Sequence, residues 1–273
     1  MEKVRNHKIL NHPIIGGIIL IVLALLAQQV VALVVTLVAV QFVSRDMALV
    51  IEAGCEIVLA IVMWLLYKLW FKNEFKGAFS FQYLGRGLII LLIPMIAFVG
   101  QNILPGVLND LPLGNVLAAV ILGTAPGLFE EITVRGLYVT NAMRTAKSYK
   151  DIVLDFFISS FIFGALHFAN IIAGADIGIT ITQVVYATGL GCVFAAACLR
   201  TGSLWPSVIV HSLIDISAYL FANLQSTGGV LTSGGIQWFS IGEGIVLILL
   251  GFFFIRKSKS QEILDIWNQK WNH

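Results

Sequence analysis

Eight apolar stretches divide this chain, most of them near or above the roughly 20 residues a helix needs to cross a bilayer. They lie at about residues 13–43, 47–71, 86–104, 113–139, 152–172, 177–199, 204–222 and 236–255. In hydrocarbon every backbone N–H and C=O must be bonded inside the segment, so stretches of this kind fold as helices. The composition agrees: 58% of the residues are hydrophobic and 12% charged, against about 25% charged in an average soluble domain. A water-soluble globule so poor in charge would expose large apolar patches. Eighteen Phe and six Trp exclude a disordered linker as well. The expected fold class is therefore all-α, a polytopic membrane protein of about eight transmembrane helices. Residues 1–273 are read as a single integral membrane domain. The first stretch exceeds the roughly 7–15 apolar residues of a signal-peptide core, and no small-residue cleavage site follows, so it reads as a retained anchor.

Orientation follows from the basic residues. Lys3, Arg5 and Lys8 precede the first stretch, and Lys68, Lys72, Lys76 and Arg86 cluster between the second and third. Arg144, Lys147 and Lys150 separate the fourth from the fifth, and Arg200 the sixth from the seventh. Arg256, Lys257, Lys259 and Lys270 follow the eighth. All seventeen basic residues except Arg45 and Arg135 then fall on one side. That side is expected to be cytoplasmic, with both termini there and the protein in the cell membrane. Residues 105–114 and 223–235 read as short external turns. The net charge of +2 gives no reason to expect a nucleic-acid partner. Cys55, Cys192 and Cys198 lie inside apolar stretches without metal-ligand spacing, and read as small buried residues. The tail after Arg256 sets Ile263, Leu264, Ile266, Trp267 and Trp271 on a helical stripe. It reads either as an interfacial helix or as a frayed end.

Charge at the centre of a membrane helix costs about 2.5–3.5 kcal/mol on insertion scales, which makes each such group a functional candidate. Three stretches carry them in ordered spacing. The fourth holds Glu130, Glu131 and Arg135; Glu131 and Arg135 are one turn apart and can pair on one face. Glu130 points about 100° away from Glu131 and is free to face another neighbour. The fifth stretch places His167 four residues after Phe163, and the seventh places Asp215 four residues after His211. The other three histidines, His7, His12 and His273, sit in polar ends. Grouped around one wet cavity, these ionisable residues would satisfy one another and could perform general acid–base chemistry. With Glu131 engaged by Arg135, Glu130 is the better base. Taken singly, each pair also suits a structural role: a helix ion pair, a packing histidine, an interhelical clamp. Phe163 reads as a cavity wall, and Asn170 either as another part of that wall or as a helix-end contact. Glu52 and Glu56 form a further acidic pair, expected to face water, pair with Arg45 or mark an ion path. Gly189 and Gly191 are expected to permit close helix packing.

The ordered trio of Glu130-Glu131 with Arg135, Phe163 with His167, and His211 with Asp215 resembles the CAAX-protease and bacteriocin-processing family. That family is also called Abi or type II CAAX prenyl endopeptidase. The resemblance spans about residues 113–220 and implies an intramembrane endopeptidase opening toward the cytoplasm. It implies that Glu130 and His167 activate a water, that His211 and Asp215 support the oxyanion, and that Arg135 holds Glu131. The family often carries Asn where this chain has Asp215, and an ionised Asp cannot donate to an oxyanion. Asp215 is then protonated, orients His211, or helps bind a metal. The family is often labelled metalloprotease, and Glu130, His167 and His211 could form a zinc set with a water in the fourth position. Resemblance to its structurally characterised members favours a metal-free, glutamate-activated water. The implied partners are a peptide or protein substrate at the membrane and the lipid bilayer. Two other readings are a non-enzymatic membrane protein of bacteriocin immunity or peptide signalling, and an ion-coupled transporter. The transporter reading lacks halves with matching broken helices.

Overall fold

Several helices of this chain begin or end at Pro, Gly or a capping side chain. The computed structural model describes residues 12–71, 80–106, 111–172, 174–221 and 234–271. Lys3, Arg5, His7, Lys8, Lys72, Lys76 and His273 lie outside the described residues, as do residues 107–110 of the first expected turn and 223–233 of the second. Helix α1 (Pro13–Ala39) opens with Pro at its first position, where the missing N–H costs nothing, and α2 (Arg45–Phe71) follows. The third apolar stretch is broken into α3 (Leu84–Ile90) and α4 (Leu92–Gly106), bent by 60° at Leu91. Pro94 cannot donate to the carbonyl one turn earlier, which accounts for a break at that point. Helix α5 (Leu113–Glu131) runs without interruption into a π-helical stretch, Ile132–Val139, and then α6 (Thr140–Met143).

Helix α7 (Tyr149–Leu166) starts from a capping box in which Ser148 and Asp151 satisfy each other's backbone N–H. A short α8 (Ala169–Ile172) follows. Helix α9 (Ile177–Thr201) begins at Asp176, whose side chain accepts the Ile179 N–H, and ends at Gly202 with φ of 61°. Helices α10 (Trp205–Phe221), α11 (Trp238–Phe254) and α12 (Ser260–Trp271) complete the chain.

The all-α, polytopic reading holds, and each of the eight apolar stretches is helical. Among the described residues, five helices are long and apolar enough to span a membrane, or seven if each of two bent pairs counts as one span. The apolar α10 is shorter, at 17 residues, or about 25 Å. Helix α9 is the centre, with α7 and α11 against it, while α5 lies between α10 and α2. Close approach is set by glycines. A Cβ on Gly189 would lie 2.9 Å from the Cα of Gly244 on α11. The tail is not frayed: Ile263 and Trp267 of α12 are buried, and the Trp267 indole donates to Leu199 O at 3.0 Å.

Candidate active site

The site begins with a stripe on α5. Gly123, Gly127 and Glu131 follow one another at four-residue spacing, so they share a face. A Cβ on Gly127 would come within 2.9 Å of Ser212 N, and one on Gly123 within 2.7 Å of the Ile216 Cα. The two glycines therefore let α5 and α10 touch along their backbones. One turn on, the same face delivers the Glu131 carboxylate to His211, Oε1 lying 3.2 Å from Nδ1. The helix then widens into its π-helical stretch, where Thr140 N–H bonds back five residues to Arg135 O. Such stretches occur frequently at functional sites. All eight of its residues are buried.

Arg135 is wholly buried and held on three sides, while its Nε has no hydrogen-bond partner. Its NH1 donates to Glu131 Oε1 at 2.8 Å, and its NH2 to Gly191 O at 3.0 Å. Its guanidinium lies over the Phe163 ring, 4.4 Å from the centroid, with Phe194 at 5.7 Å. Both rings also meet the histidines: His211 stacks on Phe194 with centroids 5.3 Å apart, and His167 and Phe163 meet edge to face at 5.9 Å. The Nε2 of His211 faces Asp215 Oδ2 at 3.4 Å.

Glu130, His167, His211 and Asp215 all line one cavity of about 420 Å³. The ionisable groups expected to converge do so, in two layers. Four line the cavity, and Glu131 with Arg135 forms a dry layer behind it. Phe163 is indeed a wall. Asn170 fills both roles considered for it, lining the cavity while donating to Gln183 Oε1 at 2.8 Å. Glu56 accepts from Gln28 at 2.9 Å and Glu52 from Thr36 at 3.4 Å. That acidic pair is thus bonded to α1 and not to Arg45.

Several residues of the site escaped the sequence reading. Asn102 of α4 donates to Ile214 O at 3.2 Å and to Ser217 Oγ at 2.9 Å, tying the broken span to α10. Gln101 donates to Glu243 on α11. Both line the cavity, and both were visible as polar residues inside an apolar stretch. Phe194 carried no such signal, being one of eighteen Phe.

A zinc set of Glu130, His167 and His211 would need a His211 nitrogen turned to the metal with its lone pair. Both ring nitrogens of His211 instead face carboxylates. No group of three His, Cys, Asp or Glu among the described residues is arranged to hold a metal ion. As placed, these residues do not fit that set. The three cysteines are free.

Residues 112–217 match the family described as type II CAAX prenyl endopeptidase Rce1-like. Over that segment the chain is similar to this family. At family level, an Rce1-like protein is an intramembrane endopeptidase of CAAX type acting on a peptide. The matched segment contains Glu130, Glu131, Arg135, His167, His211 and Asp215, and covers less than half of the chain. No curated protein and no solved structure matches it.

The cavity lies toward one end of the bundle. Besides Glu130, His167, His211, Asp215 and Glu243 it is lined by Ile179 of α9, Ala218 and Tyr219 of α10, and Gln237 and Ser240 at the start of α11. The basic residues Arg86 and Arg200 are at the other end, both paired with Glu262. The cavity and the pairs of Arg86 and Arg200 with Glu262 therefore lie at opposite ends of the bundle.

Proposed function

We propose that this chain hydrolyses a peptide bond in a membrane-associated protein or peptide through a water activated by Glu130 and His167. The observation that carries the reading is the shared cavity. It brings a carboxylate and an imidazole from separate helices to one space, beside a second imidazole held by two carboxylates. Glu130 takes the proton of the water as its oxygen attacks the scissile carbonyl carbon, with His167 orienting that water. The carbonyl oxygen becomes an oxyanion. When the C–N bond breaks, the proton on Glu130 passes to the leaving nitrogen, so that an acid and an amine are released.

His211 is the oxyanion donor. Its Nδ1–H donates to Glu131, which fixes the ring plane. Its Nε2–H faces Asp215 at 3.4 Å, long for a hydrogen bond, so this donor can turn to an oxygen arriving in the cavity. Asp215 then orients His211 and does not itself donate, which removes the difficulty of an ionised Asp in the position of Asn. Arg135 and Glu131 are positioning residues, since neither lines the cavity. No step runs through a metal. The protein resides in the cell membrane with both termini cytoplasmic.

The test compares membrane-associated peptides from cells carrying the unaltered chain with those carrying Glu130→Gln or His167→Ala, at matched protein levels. General acid–base groups contribute about 10²–10⁴ in rate, so each variant should lose its cleavage products. Undiminished processing by either variant refutes the reading.

A further inference from the structure

The two ends of this bundle differ in charge, and the cavity belongs to the end without cations. At the first end, Arg86 at the start of α3 and Arg200 at the end of α9 both pair with Glu262, Arg200 at 3.1 Å. Arg200 also donates to Phe254 O at the end of α11, at 3.0 Å. Asn141, in α6, donates to Pro13 O at the start of α1, at 2.9 Å. At the second end, the starts of α9 and α11 meet. Gly235 N–H donates to Asp176 Oδ1 at 3.2 Å, and Gln237 N–H to Thr182 Oγ1 at 3.0 Å. From Glu130 and His211, near the middle of their helices, the cavity runs past Ala218 and Tyr219 to Ser240 and the exposed Gln237. The described connecting residues of this end, 40–44, 111–112, 174–176 and 234–237, contain no Lys or Arg, and the sequence between them, 107–110, 173 and 222–233, has none either. Arg45, opening α2, is the one cation beside them.

Lys and Arg flanking membrane helices stay on the cytoplasmic side. We propose that the cavity is reached from the non-cytoplasmic face, and that the substrate is a peptide segment presented there. Such a segment is an exported peptide or an external loop or tail of a membrane protein, not a cytoplasmic C-terminus. The inference rests on the endopeptidase reading for what the cavity does, and on the fold and charge distribution alone for the face it meets. The lining suits a peptide in water: Gln237, Ser240, Asn102 and Gln183 offer amide and hydroxyl groups along the route to Glu130.

The experiment reads the side of the cavity without using proteolysis. Ser240→Cys and Ala218→Cys place thiols inside it, and Lys257→Cys places one at the opposite, exposed end. Each full-length variant is treated with a membrane-impermeant maleimide in intact cells and in sealed inside-out vesicles, and labelling above the unsubstituted chain is measured. The two cavity thiols should react in intact cells and be silent in inside-out vesicles, with Lys257→Cys giving the reverse. Cavity thiols that react only in inside-out vesicles overturn the proposal. So does reaction of all three from the same face, or cavity thiols silent in both preparations while Lys257→Cys reacts. A chain that cleaves nothing would still report the open face, so failure here is distinct from failure of the endopeptidase reading.

Discussion

The two halves of α9 have different surroundings. From Gly189 to Thr201 every residue is buried, sealed by α7, α11 and the docked α12. Between Ile177 and Tyr186 the same helix borders the cavity through Ile179, Thr182, Gln183 and Tyr186. Charges follow the same division. At the sealed end Glu262 is about a third exposed and shared by Arg86, Arg200 and Lys259. Around the cavity, Glu131 and Arg135 have no exposed side-chain surface at all. An ion pair at the rim ties helices together weakly, because water screens it. A wholly buried pair cannot be broken without stranding a charge, so it holds its neighbours in place. The first kind of pair supports the fold; the second positions a site.

The largest effect that tests this division is catalytic. Glu130→Gln should lower cleavage by about 10²–10⁴, while thermal unfolding in detergent stays close to that of the unaltered chain. A large loss of stability would mean that Glu130 belongs to the dry layer. Next comes Arg135→Met, which leaves Glu131 buried without its cation and should destabilise the protein by about 3–5 kcal/mol. Glu131→Gln combined with Arg135→Met should recover part of that loss in the same melting experiment but not the activity, since His211 loses its anchor.

A smaller effect is expected at the helix contact. Gly127→Ala forces its methyl against Ser212, and overpacking of this kind costs about 1–3 kcal/mol. Cleavage should fall with it as Glu131 is pushed from His211. Gly100→Ala, where a Cβ meets nothing within 4 Å, is the control and should change neither property.

The smallest effect belongs to Glu262. Burial acts to raise its pKa, but the guanidinium groups of Arg200 and Arg86 outweigh that and hold it below the ordinary 4.5. Its contribution is therefore present in full above about pH 4.5 and is lost as pH falls through the depressed folded value. Glu262→Gln should cost about 1 kcal/mol or less at neutral pH. It should lose that difference in high salt or in acid, and leave cleavage unchanged. Melting curves across pH and salt would show it.

Much of this was legible in the chain itself. Apolar length made the helices, and the four-residue spacings of Glu131 with Arg135 and of His211 with Asp215 became contacts as read. The break at Leu91 was foreshadowed by Pro94, although one continuous stretch was expected there. The π-helical turn after Glu131 was not legible, because a one-residue change in hydrogen-bond register leaves no compositional mark. Nor was the role of Phe194, whose ring meets both Arg135 and His211. The glycine stripe of α5 was visible but unread: Gly123 and Gly127 announce a close contact, not the helix that makes it.

By itself, then, the amino-acid sequence determined the solvent, the helices and the residue pairs within one helix, because hydropathy and 3.6-residue periodicity are local properties. Which helices meet is a matter of surfaces far apart in the chain. Tertiary structure alone decided that Glu131 reaches His211, that Glu130 shares a cavity with His167, and that this cavity lies at the end opposite Arg86 and Arg200. The physical reason is that these contacts join separate helices, whose packing depends on how small residues such as Gly127 and Gly189 let backbones approach.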